Sequence, residues 1–327
     1  MPTHHPGTYV AQNVVDKTDV PWALTTHLLS INHEQLIRAT QHPFLARAAN
    51  GNLAKPVIAQ WLVNDREYVR GYIATNNKLA EILRSQNRAP TAADAEPDIE
   101  TRLTAWCVAG AQNGEREIRL FNEVSEIYKL GVPAVSSESY KTQGLRLYEI
   151  LFSRLAAQQP NTFIPWLEAA VLLWSTEKCY YEAWSWARRQ DAQSSPRNFD
   201  NDQDGGAMRR EFIPNWSNRD FLMFVEQLER IINEGVSEAV GRDDEKWKDV
   251  KKRTDSIWRA VLDAEDAFWP DVDGVKAGLL QEAKVDGVRG STNGTALEGN
   301  GEVYDEKKLA GDIDVNNVKW NGHVPLV

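Results

Sequence analysis

The chain has 327 residues, a formal net charge of −10 and 42% hydrophobic residues, so it is long enough to bury a sizeable core. Its two cysteines exclude a disulfide scaffold and a thiolate-rich metal site, and its six histidines disfavour a site built from many imidazoles. The acidic balance, without a block of Lys and Arg, argues against nucleic acid or an anionic membrane as the main partner.

The two ends and one internal stretch lack a regular hydrophobic pattern. Residues 1–20 show no periodicity, and residues 271–327 are rich in glycine, so we expect an irregular N-terminal segment and a mostly irregular C-terminal arm. Residues 190–211 are polar and rich in turn-forming residues, which predicts a surface insertion. The chain shows neither a signal-peptide pattern nor an apolar run of about 18 residues, so we expect a soluble, cytoplasmic protein.

Residues 21–270 form the predicted domain, in which apolar side chains recur at steps of three and four. This spacing predicts an all-α, multi-helical bundle, since no segment alternates with the period of two expected for a strand. The long predicted helices cover residues 56–83, 99–130, 143–158, 162–189, 218–235 and 244–269. Asn161 and Asn218 are suitable N-caps, and Gly131 and Gly235 are suitable helix stops.

Three of these helices carry a carboxylate in the middle of their apolar face, namely Asp65, Glu177 and Glu265. A buried ionised carboxylate is unfavourable unless it is paired or hydrogen-bonded, and burial raises its pKa. One such carboxylate alone would be explained by an error in the predicted helix boundary, or by an Arg or Lys partner from a neighbouring helix. Three cases, each beside Tyr or Trp, predict a central pocket of acids and aromatics. Such a pocket suits a flat, nitrogen-rich ligand or a pair of metal ions.

The pattern favours the organic ligand over a metal. A carboxylate-bridged di-iron bundle uses Glu-x-x-His pairs, and neither Glu177 nor Glu265 is followed by a histidine three or four residues later. His33 is an available axial ligand for haem, but the 162–189 helix has no glycine that would let a porphyrin approach its backbone. We therefore expect no metal and no cofactor, and an oxygenase that uses haem or di-iron is the competing hypothesis.

A spaced motif near the start of the helical region resembles the TenA/thiaminase II family, which has the haem-oxygenase-like fold. The motif residues are His42-Pro43-Phe44, Gly51-x-Leu53 and Asp65-x-x-Tyr68. The segments EREIRLFNEVSEIYKLGV (115–132) and LDAEDAFW (262–269) resemble two later helices of the family. The likeness spans about residues 22–269 and implies a haem-oxygenase-like bundle.

The resemblance also implies an activity and roles for individual residues. Family members hydrolyse the bond between the exocyclic methylene of an aminopyrimidine and its leaving group, in thiamin salvage. By resemblance, Asp65 would hold the 4-amino group and a neighbouring ring nitrogen, and Tyr68 would line the pocket. Glu265 would protonate the departing amine. Tyr148 matches the family's pocket tyrosine on the fourth helix, with Tyr140 as the alternative.

The chain departs from the commoner branch of the family at the nucleophile. That branch has Cys-x-x-x-Tyr, and aligning the tyrosine on Tyr181 puts Glu177 at the cysteine position, which resembles the E-type branch. Cys179 points about 160° away from Glu177 around a helix, so we expect an outward or packing residue. Glu177 would activate water as a general base, with direct attack on the ring as the alternative. Trp216 falls where the family usually places a tyrosine against the substrate.

The resulting prediction is a hydrolase, an aminopyrimidine aminohydrolase that acts on thiamin-derived pyrimidines. Glu177 and Glu265 are the predicted base and acid, because two carboxyls in one pocket push their pKa values apart. By analogy with the family we expect a homo-oligomer, a dimer or tetramer, with a small-molecule aminopyrimidine as ligand and neither nucleic acid nor membrane as partner. The alternative is a catalytically inactive TenA-like module that binds small molecules or other proteins.

Overall fold

The computed structural model of the protein describes residues 23–85, 97–133, 138–156, 163–193 and 199–272. Within these ranges the chain forms helices and turns without a strand, which confirms the prediction of an all-α protein. The α-helices are α1 (Leu24–Ser30), α2 (His33–Thr40), α3 (Pro43–Ala49), α4 (Lys55–Arg84), α5 (Ile99–Tyr128), α6 (Gln143–Ala156), α7 (Leu167–Gln193), α8 (Ile213–Trp216), α9 (Arg219–Val240) and α10 (Asp244–Asp266). The predicted irregular ends lie outside the described residues, apart from Asp271 and Val272.

Local signals in the sequence set several helix ends. The side chain of Asn218 caps α9 as predicted, accepting a hydrogen bond from the backbone N–H of Phe221 at 2.8 Å. The backbone after α5 turns left-handed at Lys129 (φ 52°) and Gly131 (φ 73°), close to the predicted stop. The other predicted cap, Asn161, lies outside the described residues.

The predicted helix stop at Gly235 is wrong, because α9 continues to Val240. A Cβ atom on Gly235 would lie 2.6 Å from Cζ2 of Trp166 and 2.9 Å from Cγ2 of Ile99. Glycine therefore serves here as a packing residue that lets α9 approach its neighbours closely.

The structure also corrects the predicted surface insertion at residues 190–211. Helix α7 continues into this range, and the part from residue 199 onward packs against the body. Met208 is buried, and Arg209, which is 8% exposed, forms ion pairs with Asp202 and Asp191. The segment is polar because its charged residues pair with one another, so composition alone gave a misleading prediction.

The His-Pro-Phe motif has a structural explanation in α3. The ring nitrogen Nδ1 of His42 accepts a hydrogen bond from the Phe44 backbone N–H at 3.2 Å, and Pro43 occupies the first helical turn. The Phe44 ring is fully buried and packs against Trp61 and Trp269. The motif therefore anchors α3 to the core that lies beneath the candidate site.

Helix α7 is the central helix and packs against α2, α3, α8, α9 and α10. An aromatic cluster surrounds its middle, formed by Trp61, Trp184, Phe212, Trp216 and Trp269. No helix in the described ranges is long and apolar enough to cross a membrane. The core thus lies around α7. This helix carries Tyr180, which contacts Asp65, and Glu177, which faces a cavity.

Candidate functional site

Asp65 lies on α4 and is 1% exposed. The hydroxyl of Tyr180, on α7, donates a hydrogen bond to its Oδ2 at 2.6 Å. Burial raises the pKa of Asp65 well above its ordinary value, the Tyr180 hydrogen bond opposes that increase, and the charges of Glu117 and Glu265 add to it. A raised pKa makes protonation of Asp65 easier, and a protonated carboxyl can both donate and accept hydrogen bonds.

Glu265 lies on α10, is 3% exposed and is also bound by a tyrosine. The hydroxyl of Tyr148 donates to Glu265 Oε2 at 2.6 Å, whereas Oε1 has no hydrogen-bond partner among the described residues. Burial raises the pKa of Glu265 to about 7, against the opposing effect of the Tyr148 hydrogen bond. Tyr140, the alternative to Tyr148, lies in a short 3₁₀ helix, and its carbonyl accepts from Asn64 at 2.8 Å. Tyr148 is thus the tyrosine that contacts the predicted acid.

A glycine sets the distance between Tyr148 and Glu265. A Cβ atom on Gly144, at the start of α6, would lie 2.3 Å from the carbonyl oxygen of Ala264 in α10. The Gly144 N–H donates to the Ala267 carbonyl at 3.0 Å. The two helices therefore meet backbone to backbone, and this contact brings the Tyr148 hydroxyl within hydrogen-bonding distance of the carboxyl.

Glu177 faces a cavity of about 280 Å³ between α4, α5, α7 and the α8–α9 region. The polar and aromatic side chains that line it include Tyr72, Asn113, Glu117, Glu177, Trp216 and Phe221. Burial raises the pKa of Glu177 to about 8, the Glu117 charge adds to that increase, and an interaction with Tyr72 opposes it. Neither Asp65 nor Glu265 is among the residues that line this cavity.

Glu117, on α5, is a second carboxyl at this cavity, and the sequence did not predict it. Its Oε1 accepts a hydrogen bond from Nε1 of Trp216 at 2.8 Å, and burial raises its pKa to about 7. The sequence did contain a sign that Glu117 faces inward, because Glu117 continues one face of α5 on which residues recur at steps of three and four. That face carries Cys107, Gly110, Gly114, Glu117 and Phe121. Two of its residues are glycines, so the face does not stand out as an apolar stripe.

Tyr68 lies on α4, three residues after Asp65. Its pKa is raised first by burial, and the charges of Glu177, Glu265 and Asp65 all raise it further. Its ring lies edge-on to that of Tyr148, with 4.8 Å between the centroids. The charges of all three predicted carboxyls therefore act on the Tyr68 phenol.

The two adjacent tyrosines of α7 have different neighbours. Tyr181 packs its ring against Phe221, a cavity-lining residue, at 6.0 Å between centroids. Tyr180 instead reaches Asp65, because adjacent helical residues point about 100° apart. The predicted binding residue Tyr181 thus lies beside the cavity, and Tyr180 makes the contact with the predicted pyrimidine-binding acid.

This difference affects the alignment with the Cys-x-x-x-Tyr motif. Aligned on Tyr181, the cysteine position falls on Glu177; aligned on Tyr180, it falls on Thr176. The Thr176 hydroxyl is buried and donates to a backbone carbonyl at 2.8 Å. Neither alignment places a cysteine at this position.

Both cysteines of the chain are buried in the core. Burial raises the pKa of the Cys179 thiol well above its ordinary value, and the charge of Glu265 raises it further. Burial likewise raises the pKa of Cys107. Because the reactive form of cysteine is the thiolate, these surroundings suit packing rather than nucleophilic attack.

Among the residues that the structure describes, no three His, Cys, Asp or Glu side chains are arranged to hold a metal ion. His33, the candidate haem ligand, is exposed at the start of α2. Asp65 and Glu265 each accept a hydrogen bond from a tyrosine hydroxyl, and Glu117 accepts one from a tryptophan N–H.

A family model described as the TENA/THI-4/PQQC family matches residues 31–272. The chain belongs to this family. The fold is similar to the X-ray structure of a TenA homologue from Pyrococcus furiosus, with a TM-score of 0.53, 23% identity, and coverage of 75% of this chain and 98% of that one. This likeness confirms the predicted haem-oxygenase-like bundle. A TenA homologue from P. horikoshii OT3 matches with a TM-score of 0.49 and 11% identity, over 76% of this chain and 99% of that one.

A curated relative from Fusarium pseudograminearum (strain CS3096) is described as a probable transcription factor. It is 24% identical over 243 residues, and the match covers 65% of this chain and 45% of that relative. The chain thus spans less than half the length of this curated relative. The description as a probable transcription factor applies to the whole relative.

Proposed function

We propose that the protein is a TenA-like hydrolase, an aminopyrimidine aminohydrolase that acts on thiamin-derived pyrimidines without a cysteine nucleophile. The observation that carries the proposal is a set of three carboxyls in the helical bundle, and burial raises the pKa of each. Asp65 is bound by Tyr180, Glu265 is bound by Tyr148, and Glu177 faces the cavity. Membership of the TENA/THI-4/PQQC family supports it.

Asp65 would recognise the aminopyrimidine ring. A protonated carboxyl accepts a hydrogen bond from the 4-amino group through its carbonyl oxygen and donates one to the neighbouring ring nitrogen. The raised pKa of Asp65 supports this state, and the Tyr180 hydroxyl at 2.6 Å fixes the carboxyl's orientation. Tyr68, Tyr148 and Tyr181 would supply aromatic and hydroxyl contacts around the ring.

Glu177 and Glu265 would divide the proton transfers. Glu177, as a general base, takes a proton from water while the water oxygen bonds to the exocyclic methylene carbon. The carbon–nitrogen bond breaks, and Glu265 gives its proton to the departing amine, which leaves as ammonia. The pKa values of about 8 for Glu177 and about 7 for Glu265 support proton transfer near neutral pH, because both groups gain and lose protons there. The assignment of base and acid rests on the family resemblance.

Trp216 would form one wall of the substrate pocket. It lines the cavity, its Nε1 is fixed by Glu117, and its ring stacks on Trp184 with 5.3 Å between centroids. A tryptophan held in this way provides a rigid, flat surface for an aromatic ligand.

The test is ammonia release from 4-amino-5-aminomethyl-2-methylpyrimidine and from its formylated form. We expect Glu177→Gln and Glu265→Gln each to abolish turnover in a protein that keeps its circular dichroism spectrum. The matched control is Glu115→Gln, since Glu115 is exposed on α5. Wild-type rates in both site variants would refute the mechanism.

One observation favours the alternative of a binding protein without catalysis: neither Asp65 nor Glu265 lines the cavity. A thermal-shift measurement with the same pyrimidines separates the two functions, since any ligand that binds the folded state raises the melting temperature. A shift without ammonia release would support the binding module, whereas a shift with release supports the hydrolase.

A further inference from the structure

We propose that the cavity between α5, α7 and α9 is a binding site for a small ammonium cation, with Glu117 and Glu177 as its counter-ions. This site is separate from the Asp65–Tyr180 and Glu265–Tyr148 pairs, which do not line the cavity. Three features of the cavity favour a cation: unused hydrogen-bond acceptors, aromatic walls and acidic side chains.

Several acceptors in the cavity are not used by the described part of the chain. Glu117 accepts one hydrogen bond, from Trp216, through one of its two oxygens. Asn113 Oδ1 is buried and has no hydrogen-bond partner among the described residues. The hydroxyl of Tyr72, a residue only 5% exposed, lies near the Glu177 carboxyl but completes no hydrogen bond of normal geometry. These oxygen atoms lack hydrogen-bond donors. An ammonium group supplies several N–H donors and carries no acceptor.

The walls of the cavity also suit a cation. Aromatic side chains line it from three helices, including Tyr72, Trp216 and Phe221. A cation near the face of an aromatic ring is attracted by the ring's electron density, and the attraction is strongest for tryptophan. Carboxylates and aromatic rings together therefore favour an organic ammonium or ammonium itself over a strongly hydrated metal ion.

The charges around the cavity leave it acidic. The charged and titratable groups that line it are Tyr72 from α4, Arg116 and Glu117 from α5, Glu177 from α7 and Asp220 from α9. Two like-charged carboxyls resist ionising together, and the charge of Glu117 raises the pKa of Glu177. A bound cation removes that repulsion, so binding would leave both carboxyls ionised.

In the proposed hydrolysis, the cation would be the released ammonia. Glu177 holds the proton that it took from water; the ammonia takes that proton and becomes ammonium, and Glu177 returns to its ionised form. The ammonium then lies between Glu117 and Glu177, in a cavity that Arg116 and Asp220 border. This role rests on the proposed function, whereas the cation site itself does not.

The experiment measures ammonium binding directly on the full-length protein. The melting temperature and tryptophan fluorescence are recorded against increasing ammonium chloride at about pH 8.5, where both carboxyls are mostly ionised. Sodium chloride at matched ionic strength controls for screening, and methylammonium chloride tests the tolerance for an organic cation. Wild type, Glu117→Gln and the exposed control Glu115→Gln are compared.

We expect an ammonium-specific shift in wild type and in Glu115→Gln, and a dissociation constant about tenfold higher in Glu117→Gln. Equal responses to ammonium and sodium, or an unchanged affinity in Glu117→Gln, would overturn the proposal. Ammonium binding without any ammonia release would contradict the hydrolase and leave the cation site standing. Ammonia release without ammonium binding would support the hydrolase and overturn the cation site.

Discussion

Four carboxyls of the bundle form two pairs, and burial raises the pKa of each carboxyl in different surroundings. The inner pair, Asp65 and Glu265, is almost fully buried, and each carboxyl accepts a tyrosine O–H at 2.6 Å. The cavity pair, Glu117 and Glu177, is half-buried and faces the cavity. Burial is the largest cause of the raised pKa in all four. A shifted pKa therefore does not by itself reveal a role; the hydrogen-bond partners and the adjacent space do.

Under the proposed function, Asp65 of the inner pair recognises the ring and Glu265 donates a proton, whereas the cavity pair faces the space open to a ligand. A tyrosine hydroxyl holds each inner carboxyl in one orientation, which suits recognition and directed proton transfer. The carboxyls of the cavity pair border open space and have oxygens available for a ligand. The variants below test this division, from the largest expected effect to the smallest.

The first prediction concerns catalysis by the inner pair. Glu265→Gln keeps an oxygen that accepts from Tyr148 but removes the transferable proton. We expect the rate of ammonia release to fall by about 10²- to 10⁴-fold, the usual contribution of a general acid. Asp263→Asn is the control, since Asp263 is exposed on the same helix. A loss smaller than about tenfold would remove Glu265 from the mechanism.

The second prediction concerns stability. Because the pKa of Glu265 rises from 4.5 to about 7 on folding, the folded state binds more protons than the unfolded state between these values. The free energy of unfolding contributed by Glu265 therefore decreases as pH rises from about 4.5 to about 7 and stays low above it.

Glu265→Gln should accordingly leave stability almost unchanged near pH 5 and increase it above pH 8. The upper bound on the gain is about 3 kcal/mol, from 1.36 kcal/mol per pKa unit. Urea unfolding at the two pH values measures the difference. A variant that is destabilised equally at both would show that Glu265 is ionised and paired in the folded protein.

The third prediction tests how the inner pair is positioned. Gly144→Ala places a methyl group against the backbone of Ala264 and Phe268, so α6 must move away from α10. We expect a loss of about 1–3 kcal/mol in the free energy of unfolding, together with slower ammonia release as Tyr148 separates from Glu265. Gln143→Ala, at the exposed neighbouring position, is the control. Unchanged stability would mean that the close helix contact is not required.

The smallest effect is expected at the thiol nearest the inner pair. Cys179→Ala should leave the rate of ammonia release unchanged within about twofold and lower the free energy of unfolding by about 1 kcal/mol, because the thiol is packed and protonated. Rate measurements before and after iodoacetamide treatment give a second readout. A rate loss comparable to that of Glu265→Gln would identify Cys179 as a nucleophile.

The sequence predicted the inner pair better than the cavity pair, for a physical reason. Asp65 and Glu265 interrupt clear apolar stripes, and a stripe on an isolated helix reports burial directly. Glu117 follows Gly110 and Gly114, and small residues that allow close helix packing leave no hydrophobic signature in the sequence. The surroundings of Glu117 are formed by other helices, and the residue pattern of α5 alone does not predict which helices these are.

Two other differences arise from packing between elements. Sequence periodicity fixes the phase of α7 only roughly, so it could not decide which of the adjacent residues Tyr180 and Tyr181 faces Asp65. Gly235 looked like a helix stop because glycine is common after helices, although here it accommodates Trp166. The all-α fold, the Asn218 cap and the burial of the predicted acids at 65 and 265 followed from local pattern alone.

The pH dependence of ammonia release from 4-amino-5-aminomethyl-2-methylpyrimidine tests the central claim most directly. If Glu177 is the base and Glu265 the acid, the rate should follow a bell with its limbs near pH 7 and pH 8, since one group must be ionised and the other protonated. Each Glu→Gln variant should lack that activity. A rate that is flat from about pH 6 to about pH 9, or no ammonia at any pH, would contradict the account.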